Sequence, residues 1–290
     1  MTPEYINENI TLYQNEGSLA YGTDAFLLSA YMRRQTKEKA AEFGAGSGVI
    51  SLLAMARGKF KHVTAFEVQK NIAEIAVKNV EINGFSEKIA VVDSDIRDLP
   101  HIYNGAFGAV FSNPPYMTAQ SGKLNTNEAD SASRHEMNGG ISDFAAAAAK
   151  LLKYGGLFYA VYRPDRLSEL LCACAENGLE PKRMTLVYPT ENHVPCLVLL
   201  EAKKNGGHGI FVTKPLIIYQ SGKPQTNENY TDDMKYIYEN ISFLPVTQDT
   251  NALALFQIKQ FFDKPSEWLV RYTSERTVLL KELAVNARFK

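Results

Sequence analysis

The sequence predicts an α/β fold, a mostly parallel sheet covered by helices on both faces. Three observations predict it. Short apolar runs of strand type alternate with longer runs of helical period from residue 39 to residue 201. The first run ends in a glycine turn, Gly44-Ala45-Gly46-Ser47-Gly48, that leads into an apolar helix. Residues able to carry chemistry stand just past the strand ends, where open α/β sheets bind ligands.

The elements follow in order. Residues 1–35 read as a hairpin-like start and a helix near Asp24–Arg33. Lys39–Phe43 reads as a strand, Val49–Arg57 as a helix and His62–Phe66 as a second strand. Gln69–Asn83 is an amphipathic helix carrying Ile72, Ile75, Ala76, Val80 and Ile82, with Gly84 where its C-terminal cap falls. Ile89–Val92 and Ala109–Ser112 are short apolar strands. Phe144–Leu152 is a helix, Gly156–Tyr162 a strand and Leu167–Asn177 a helix. Met184–Tyr188 and Cys196–Glu201 are two strands with no room for a helix between them, so an antiparallel pair is expected. Residues 117–140 form a long polar loop of the kind that usually carries function. Residues 246–290 carry two helical patterns separated by Asp263-Lys-Pro265 and read as a helical appendage.

Composition narrows the class. A 290-residue chain with 45% hydrophobic residues is too apolar for disorder and long enough for one large domain plus an appendage. The 31 basic and 32 acidic residues nearly cancel, so any nucleic-acid contact must rest on a local patch. Cys172, Cys174 and Cys196 make an odd count with no C-x-x-C pair, which argues against a disulfide framework and a zinc site. No metal is expected. The start lacks a signal-peptide pattern and no apolar run reaches ~18 residues, so a cytoplasmic location with no membrane contact is expected. Nothing in the chain speaks to its oligomeric state.

Three strand ends outline a nucleoside cofactor site. The glycines Gly44, Gly46 and Gly48, with Ala45 between, let backbone approach a ligand closely. Their spacing is not the G-x-G-x-x-G of a dinucleotide fold, because position 49 is Val. Glu42, just before the turn, suits a cationic methionine moiety better than a pyrophosphate, which points to S-adenosylmethionine. Glu67, followed by Val68, ends the second strand and can accept both ribose hydroxyls. Asp95 can accept from the adenine amino group, with Ile96 over the adenine face; Asp95 is preferred to Asp93 because it lies further past the strand. Tyr21-Gly22-Thr23-Asp24 opens a helix whose amino end can hold the cofactor carboxylate through Tyr21 and Thr23, or which Thr23 simply caps.

Asn113-Pro114-Pro115-Tyr116, after the fourth strand, is the most specific signal. A conjugated amino nitrogen is a poor nucleophile because its lone pair is delocalised into the ring. Hydrogen-bond acceptors on its N–H groups favour a pyramidal nitrogen with the lone pair aimed at a methyl group. The Asn113 side-chain oxygen and the Pro114 carbonyl are such acceptors, and the two prolines preorganise them. Tyr116 offers a flat face for a base, worth roughly 1–3 kcal/mol.

Together these residues resemble the class I methyltransferases with an N-P-P-Y motif, and more narrowly the bacterial tRNA(Val) adenosine-N6 methyltransferase family and its Gram-positive relatives. Tyr21-Gly-Thr-Asp-Ala-Phe-Leu-Leu28 resembles the family's N-terminal segment, Arg134-His135-Glu136 its Arg-His-Glu element, and Pro215–Tyr219 with Asn229–Thr231 and Ile237-Tyr238 a C-terminal segment of the relatives. The resemblance covers residues 1–240. It implies a Rossmann-like seven-stranded methyltransferase sheet with the last two strands antiparallel; residues 1–245 are taken as that domain, and the C-terminal helical extension over 246–290 departs from the family pattern. The resemblance implies S-adenosylmethionine as cofactor, adenine N6 in RNA, specifically tRNA, as acceptor, and Arg134 and His135 near the substrate. The same motif serves guanine-N2, DNA-adenine and protein-glutamine methyltransferases, and a non-enzymatic RNA-binding module is a further alternative. For the RNA backbone, Lys203 and Lys204, grouped in sequence with Lys214 and Lys223, are preferred to the basic residues of 271–290.

Overall fold

The computed structural model describes residues 3–7, 10–13, 22–114, 140–241 and 243. The chain divides into two units, Met1–Phe243 and Leu244–Lys290, and the expected C-terminal helices lie in the second, outside the described residues.

A short antiparallel hairpin, β1 (Pro3–Asn7) and β2 (Ile10–Tyr13), precedes helix α1 (Thr23–Tyr31). Five parallel strands follow: β3 (Gln35–Phe43), β4 (Phe60–Glu67), β5 (Ile89–Asp93), β6 (Phe107–Ser112) and β7 (Leu152–Tyr162). They alternate with α2 (Val49–Ala56), α3 (Lys70–Ile82) and α4 (Ile141–Leu151). Helix α5 (Leu167–Glu176) then leads to β8 (Leu179–Tyr188) and β9 (Leu197–Lys204).

The spatial order is β8-β9-β7-β6-β3-β4-β5. The last two long strands pair antiparallel, as expected, and the reversal belongs to β9, which runs against both β7 and β8. Two short strands, β10 (Phe211–Val212) and β11 (Leu216–Ile217), add to the outer edge of β8. The chain changes direction of travel across the sheet between β3 and β6. That is the switch point where such folds form a crevice at the carboxyl ends of the strands.

Both faces of the sheet are covered, so the central strands are continuously apolar and successive residues feed two cores. Ala40, Phe111 and Tyr159 face a core with α1, α2 and α3, while Ala41, Val110 and Phe158 face a core with α4 and α5. The strands run longer than their apolar runs predict. Strand β3 starts at Gln35 because its first turns of alternation are polar and exposed, and β7 starts at Leu152, directly after α4. The expected strand starts at Gly156, whereas β7 already runs from Leu152 and carries Gly155 and Gly156 within it, at an irregularity in the pairing with β6. Gly84 follows the C-cap Asn83 at φ +71°, in the left-handed region that a glycine favours there.

Helix α1 is held at several points. Its residues 25–31 are all buried. Lys59 Nζ donates to the Ala30 and Met32 carbonyls at 2.9 and 2.6 Å, and Arg183 donates to the Tyr31 carbonyl at 2.7 Å. These donors satisfy carbonyls that a helix end leaves open. Arg183 also stacks over the Tyr31 ring at 3.9 Å and, with Arg33, pairs with the buried Glu201. Helix α6 (Asp232–Asn240), capped by Thr231, covers α1 from outside, with Tyr238 stacked on Phe26 at 4.2 Å. The family-like segment 215–238 is therefore a clamp on α1.

Candidate active site

The site is built at the carboxyl ends of β3, β4, β5 and β6. Phe43 and Ser112 are register partners in β3 and β6, and Ser112 Oγ donates to the Phe43 carbonyl at 2.9 Å. The glycine turn and Asn113 therefore leave adjacent strands at one level.

In the turn, Gly44, Gly46 and Gly48 adopt φ of +64°, +55° and +83°. All three lie where a Cβ is disfavoured. Among the described residues a Cβ on Gly46 would meet no atom within 4 Å, whereas one on Gly48 would make an ordinary contact with Ala76 Cβ at 3.5 Å, so the positive φ and not crowding is what favours glycine at both. Ala45 is buried, its N–H donating to the Phe66 carbonyl at 3.0 Å. Asn79 of α3 supports the turn from behind, donating to the Ser47 and Tyr13 carbonyls at 2.9 and 3.0 Å while its oxygen accepts the Tyr13 N–H at 2.7 Å.

Two carboxylates lie near the turn in different environments. Glu67 is 5% exposed, and its oxygens accept the Gly46 N–H at 2.9 Å and the Gln69 N–H at 3.0 Å. Val68, next along, is 39% exposed. Glu42 is 1% exposed and accepts from Ser51 through both its N–H, at 3.1 Å, and its hydroxyl. Its other oxygen, Oε1, is buried without a hydrogen-bond partner among the described residues. Burial, opposed in part by Ser51, pushes the Glu42 carboxyl up to about 8. An unsatisfied acceptor beside a backbone cradle fits a ligand that brings a positive or donor group.

Asp95 and Ile96 follow β5. The Asp95 carboxylate grips Arg97 in a bidentate pair, Nε at 2.9 and 3.0 Å and Nη2 at 2.5 Å, and accepts the Arg97 N–H at 2.8 Å. The guanidinium holds the Asp95 carboxyl below its ordinary range. Arg97 was not foreseen as the residue that orients it. Ile96 is buried and Asp93 is exposed.

At the fourth strand end, Asn113 Nδ2 donates to Asp24 Oδ2 at 2.7 Å. Asp24 sits in the first turn of α1, and its Oδ1 accepts the Ala25 N–H at 2.8 Å. Sequence reasoning quoted Asp24 without assigning it a role; no spacing rule links residues 89 positions apart. Thr23 does not cap α1: the cap is Gly22, with no side-chain bond, and Thr23 is the first helical residue. Pro114 is buried. Tyr21, Pro115, Tyr116, Arg134 and His135 lie outside the described residues.

The lysines expected to meet RNA lie elsewhere. Because β9 is antiparallel, Lys203 pairs with Leu157 near the amino end of the parallel strands, at the opposite sheet edge from Asn113. Lys204 Nζ donates to the Leu152 carbonyl at 2.6 Å, Lys214 pairs with Asp233 at 2.6 Å, and Lys223 donates to Gln220 at 2.7 Å. Lys203 lines an open groove of about 520 Å³ with Arg33, Lys153 and Lys182, where Glu38 pairs with Lys153 at 2.6 Å. Among the described residues no helix is long and apolar enough to cross a membrane, and no three His, Cys, Asp or Glu side chains gather as a metal site.

Residues 15–171 match the family model described as the methyltransferase small domain. The chain is similar to a tRNA1(Val) (adenine(37)-N6)-methyltransferase of Dyadobacter fermentans, 22% identical over 80% of this chain and 95% of that protein. It is 28% identical to the protein of the same name from Phocaeicola vulgatus, over 69% of this chain and 84% of the relative. Among solved structures, a predicted O-methyltransferase from Agrobacterium tumefaciens shares the fold with a TM-score of 0.62 at 22% identity, covering 76% of this chain and 98% of that one.

Proposed function

This chain belongs to the methyltransferase small domain family, and on that premise we propose that it transfers the methyl group of S-adenosylmethionine to N6 of an adenine in tRNA. The observation that carries the reading is the register of β3 and β6, which sets the glycine turn beside Asn113. A cofactor cradle and an acceptor for an amino group then face the same crevice. The names of the relatives from Dyadobacter and Phocaeicola support tRNA adenine over guanine, DNA or protein as the methyl acceptor.

S-adenosylmethionine supplies an electrophilic methyl group carried on a sulfonium. Gly44, Ala45, Gly46 and Gly48 let the backbone lie against the cofactor, and Glu42 meets its positively charged end. Glu67 accepts from the ribose hydroxyls, with Val68 beside it. Asp95 accepts from the adenine amino group and Ile96 covers the ring. The amino end of α1, with Thr23 and Tyr21, takes the carboxylate.

On the substrate side, the Asn113 side-chain oxygen and the Pro114 carbonyl accept the two hydrogens of the target amino group. This draws the lone pair out of the ring and towards the methyl group, and it acts most strongly in the transition state. Pro115 holds the backbone, Tyr116 stacks on the base, and Arg134 and His135 complete the substrate side. No strong base is needed, because the methylated nitrogen is acidic and loses its proton to water. The adenine must leave its stack, at a cost of a few kcal/mol, so phosphate contacts are required. Lys203, beside Lys182 in the groove where Arg33 is paired with Glu201, is the proposed contact for a substrate as long as tRNA; Lys204 belongs to the same strand end.

Incubating the protein with S-adenosylmethionine and an unmodified tRNA(Val) transcript, followed by mass spectrometry of the nucleosides, tests the proposal. N6-methyladenosine is expected. Methylated guanine, or a product formed only on DNA or protein, overturns it.

A further inference from the structure

We infer that Asp24 is a positioning residue for methyl transfer, fixing the Asn113 amide so that its oxygen faces the target nitrogen. The inference rests on the proposed role of Asn113 and goes beyond it to a residue on a different element.

An asparagine amide is nearly symmetric in shape and opposite in chemistry at its two ends. Turned one way, Asn113 offers the target amino group an acceptor; turned the other way, it offers a donor and opposes the reaction. Strand β6 positions the Asn113 backbone, and Asp24 bears on the choice between these orientations. The Asp24 carboxylate accepts from Nδ2 at 2.7 Å, which turns the oxygen end of the amide away from Asp24. The flipped amide would set two oxygens against each other.

The surroundings keep Asp24 itself in place. Its Oδ1 accepts the Ala25 N–H at 2.8 Å, within the first turn of α1, where the helix dipole favours a negative charge. The far end of the helix is anchored by Lys59 and Arg183, and residues 25–31 are buried. Position 22 is glycine at φ −94°, a value any residue can adopt, yet a Cβ there would collide with Asp24 Oδ1. Glycine at 22 therefore leaves room for the carboxylate to fold back over its own helix start.

The test compares single-turnover methylation of a tRNA(Val) transcript by wild type, Asp24→Leu, Asp24→Asn and Asn113→Ala, with S-adenosylhomocysteine binding and the melting temperature measured for each. Asp24→Leu should lower the chemical step by about 10²-fold, the cost of a misplaced reacting geometry, with substrate affinity nearly unchanged. Asp24→Asn keeps an oxygen that can accept from Nδ2 but also offers a donor to the flipped amide, so it should recover only part of the rate. Asp24→Leu added to Asn113→Ala should cause no further loss, because the two act as one unit. Gly22→Ala gives a milder loss of rate without touching Asp24 or Asn113. A folded Asp24→Leu protein with wild-type turnover, or losses that add in the double variant, overturns the inference. A wild-type protein that forms no N6-methyladenosine overturns the underlying reading instead.

Discussion

The Glu67 carboxylate accepts the Gly46 backbone N–H at 2.9 Å, so the end of β4 and the turn after β3 are one structure. A second backbone donor, Gln69 N–H, meets the other oxygen at 3.0 Å. The residue proposed to meet the ribose also shapes the glycine turn. Glu67→Ala should therefore weaken S-adenosylhomocysteine binding at least tenfold and lower stability by about 1–3 kcal/mol, since two backbone donors lose their partner. Glu67→Gln keeps an acceptor for only one of the two N–H donors and should lose less stability than Glu67→Ala while still losing affinity. Calorimetry and urea unfolding separate the two effects.

Asn113→Ala should leave cofactor affinity within a few-fold of wild type and reduce kcat by roughly 10²–10³-fold, the usual cost of one group aimed at the transition state. Single-turnover kinetics on a tRNA transcript measure this. Wild-type turnover in the variant would reject the catalytic assignment.

Gly46→Ala probes the open side of the turn. Among the described residues its Cβ would meet no atom within 4 Å, so the stability cost is the backbone strain at φ +55°, about 1–2 kcal/mol. The larger loss should appear in cofactor binding. At Gly48 the Cβ would make an ordinary contact with Ala76 behind the turn, so Gly48→Ala should lose stability through the backbone strain at φ +83° and lose less affinity than Gly46→Ala. Melting temperatures with and without S-adenosylhomocysteine distinguish the two.

The buried Glu42 makes stability depend on pH. Its carboxyl rises from about 4.5 to about 8 on folding, so between these values the folded protein binds more protons than the unfolded one. The contribution is complete below pH 4.5 and is lost as pH rises through about 8. Glu42→Gln carries a permanently neutral side chain and should lack this loss. Urea midpoints from pH 5 to 9, without ligand, should fall more steeply for wild type than for the variant; parallel curves would reject the assignment.

Lys59 acts with the opposite sign. Burial lowers its amino group from 10.5 to about 7, so the unfolded chain binds more protons between those values and stability rises with pH across them. Lys59→Met should remove that rise. It should also cost about 1–3 kcal/mol near pH 8 by leaving the Ala30 and Met32 carbonyls without their donor. Unfolding free energies at pH 7 and 9.5 test both parts.

Much of this protein could be read from its sequence. Apolar period and turn chemistry are local properties, and they yielded every long strand and helix from residue 39 to residue 201, including the antiparallel final pair. The residue types at the strand ends, Gly44 to Gly48, Glu67 and Asn113, were legible because an α/β sheet brings all its carboxyl ends to one edge. Bounds were missed where polar residues open β3 and where Gly155 and Gly156 interrupt β7 without ending it.

The partnerships of side chains were decided only by tertiary structure. Asp24 meets Asn113 across 89 residues, Asp95 turns to Arg97, and Asn79 spends its amide on the hairpin and the glycine turn. Lys203 and Lys204 are adjacent in sequence to a glycine-rich segment, yet the direction of β9 carries them to the sheet edge opposite Asn113. The physical reason is the same in each case. Hydrophobic period is written in consecutive residues, whereas a hydrogen bond between distant segments depends on strand order, strand direction and helix placement, which arise only when the whole core packs.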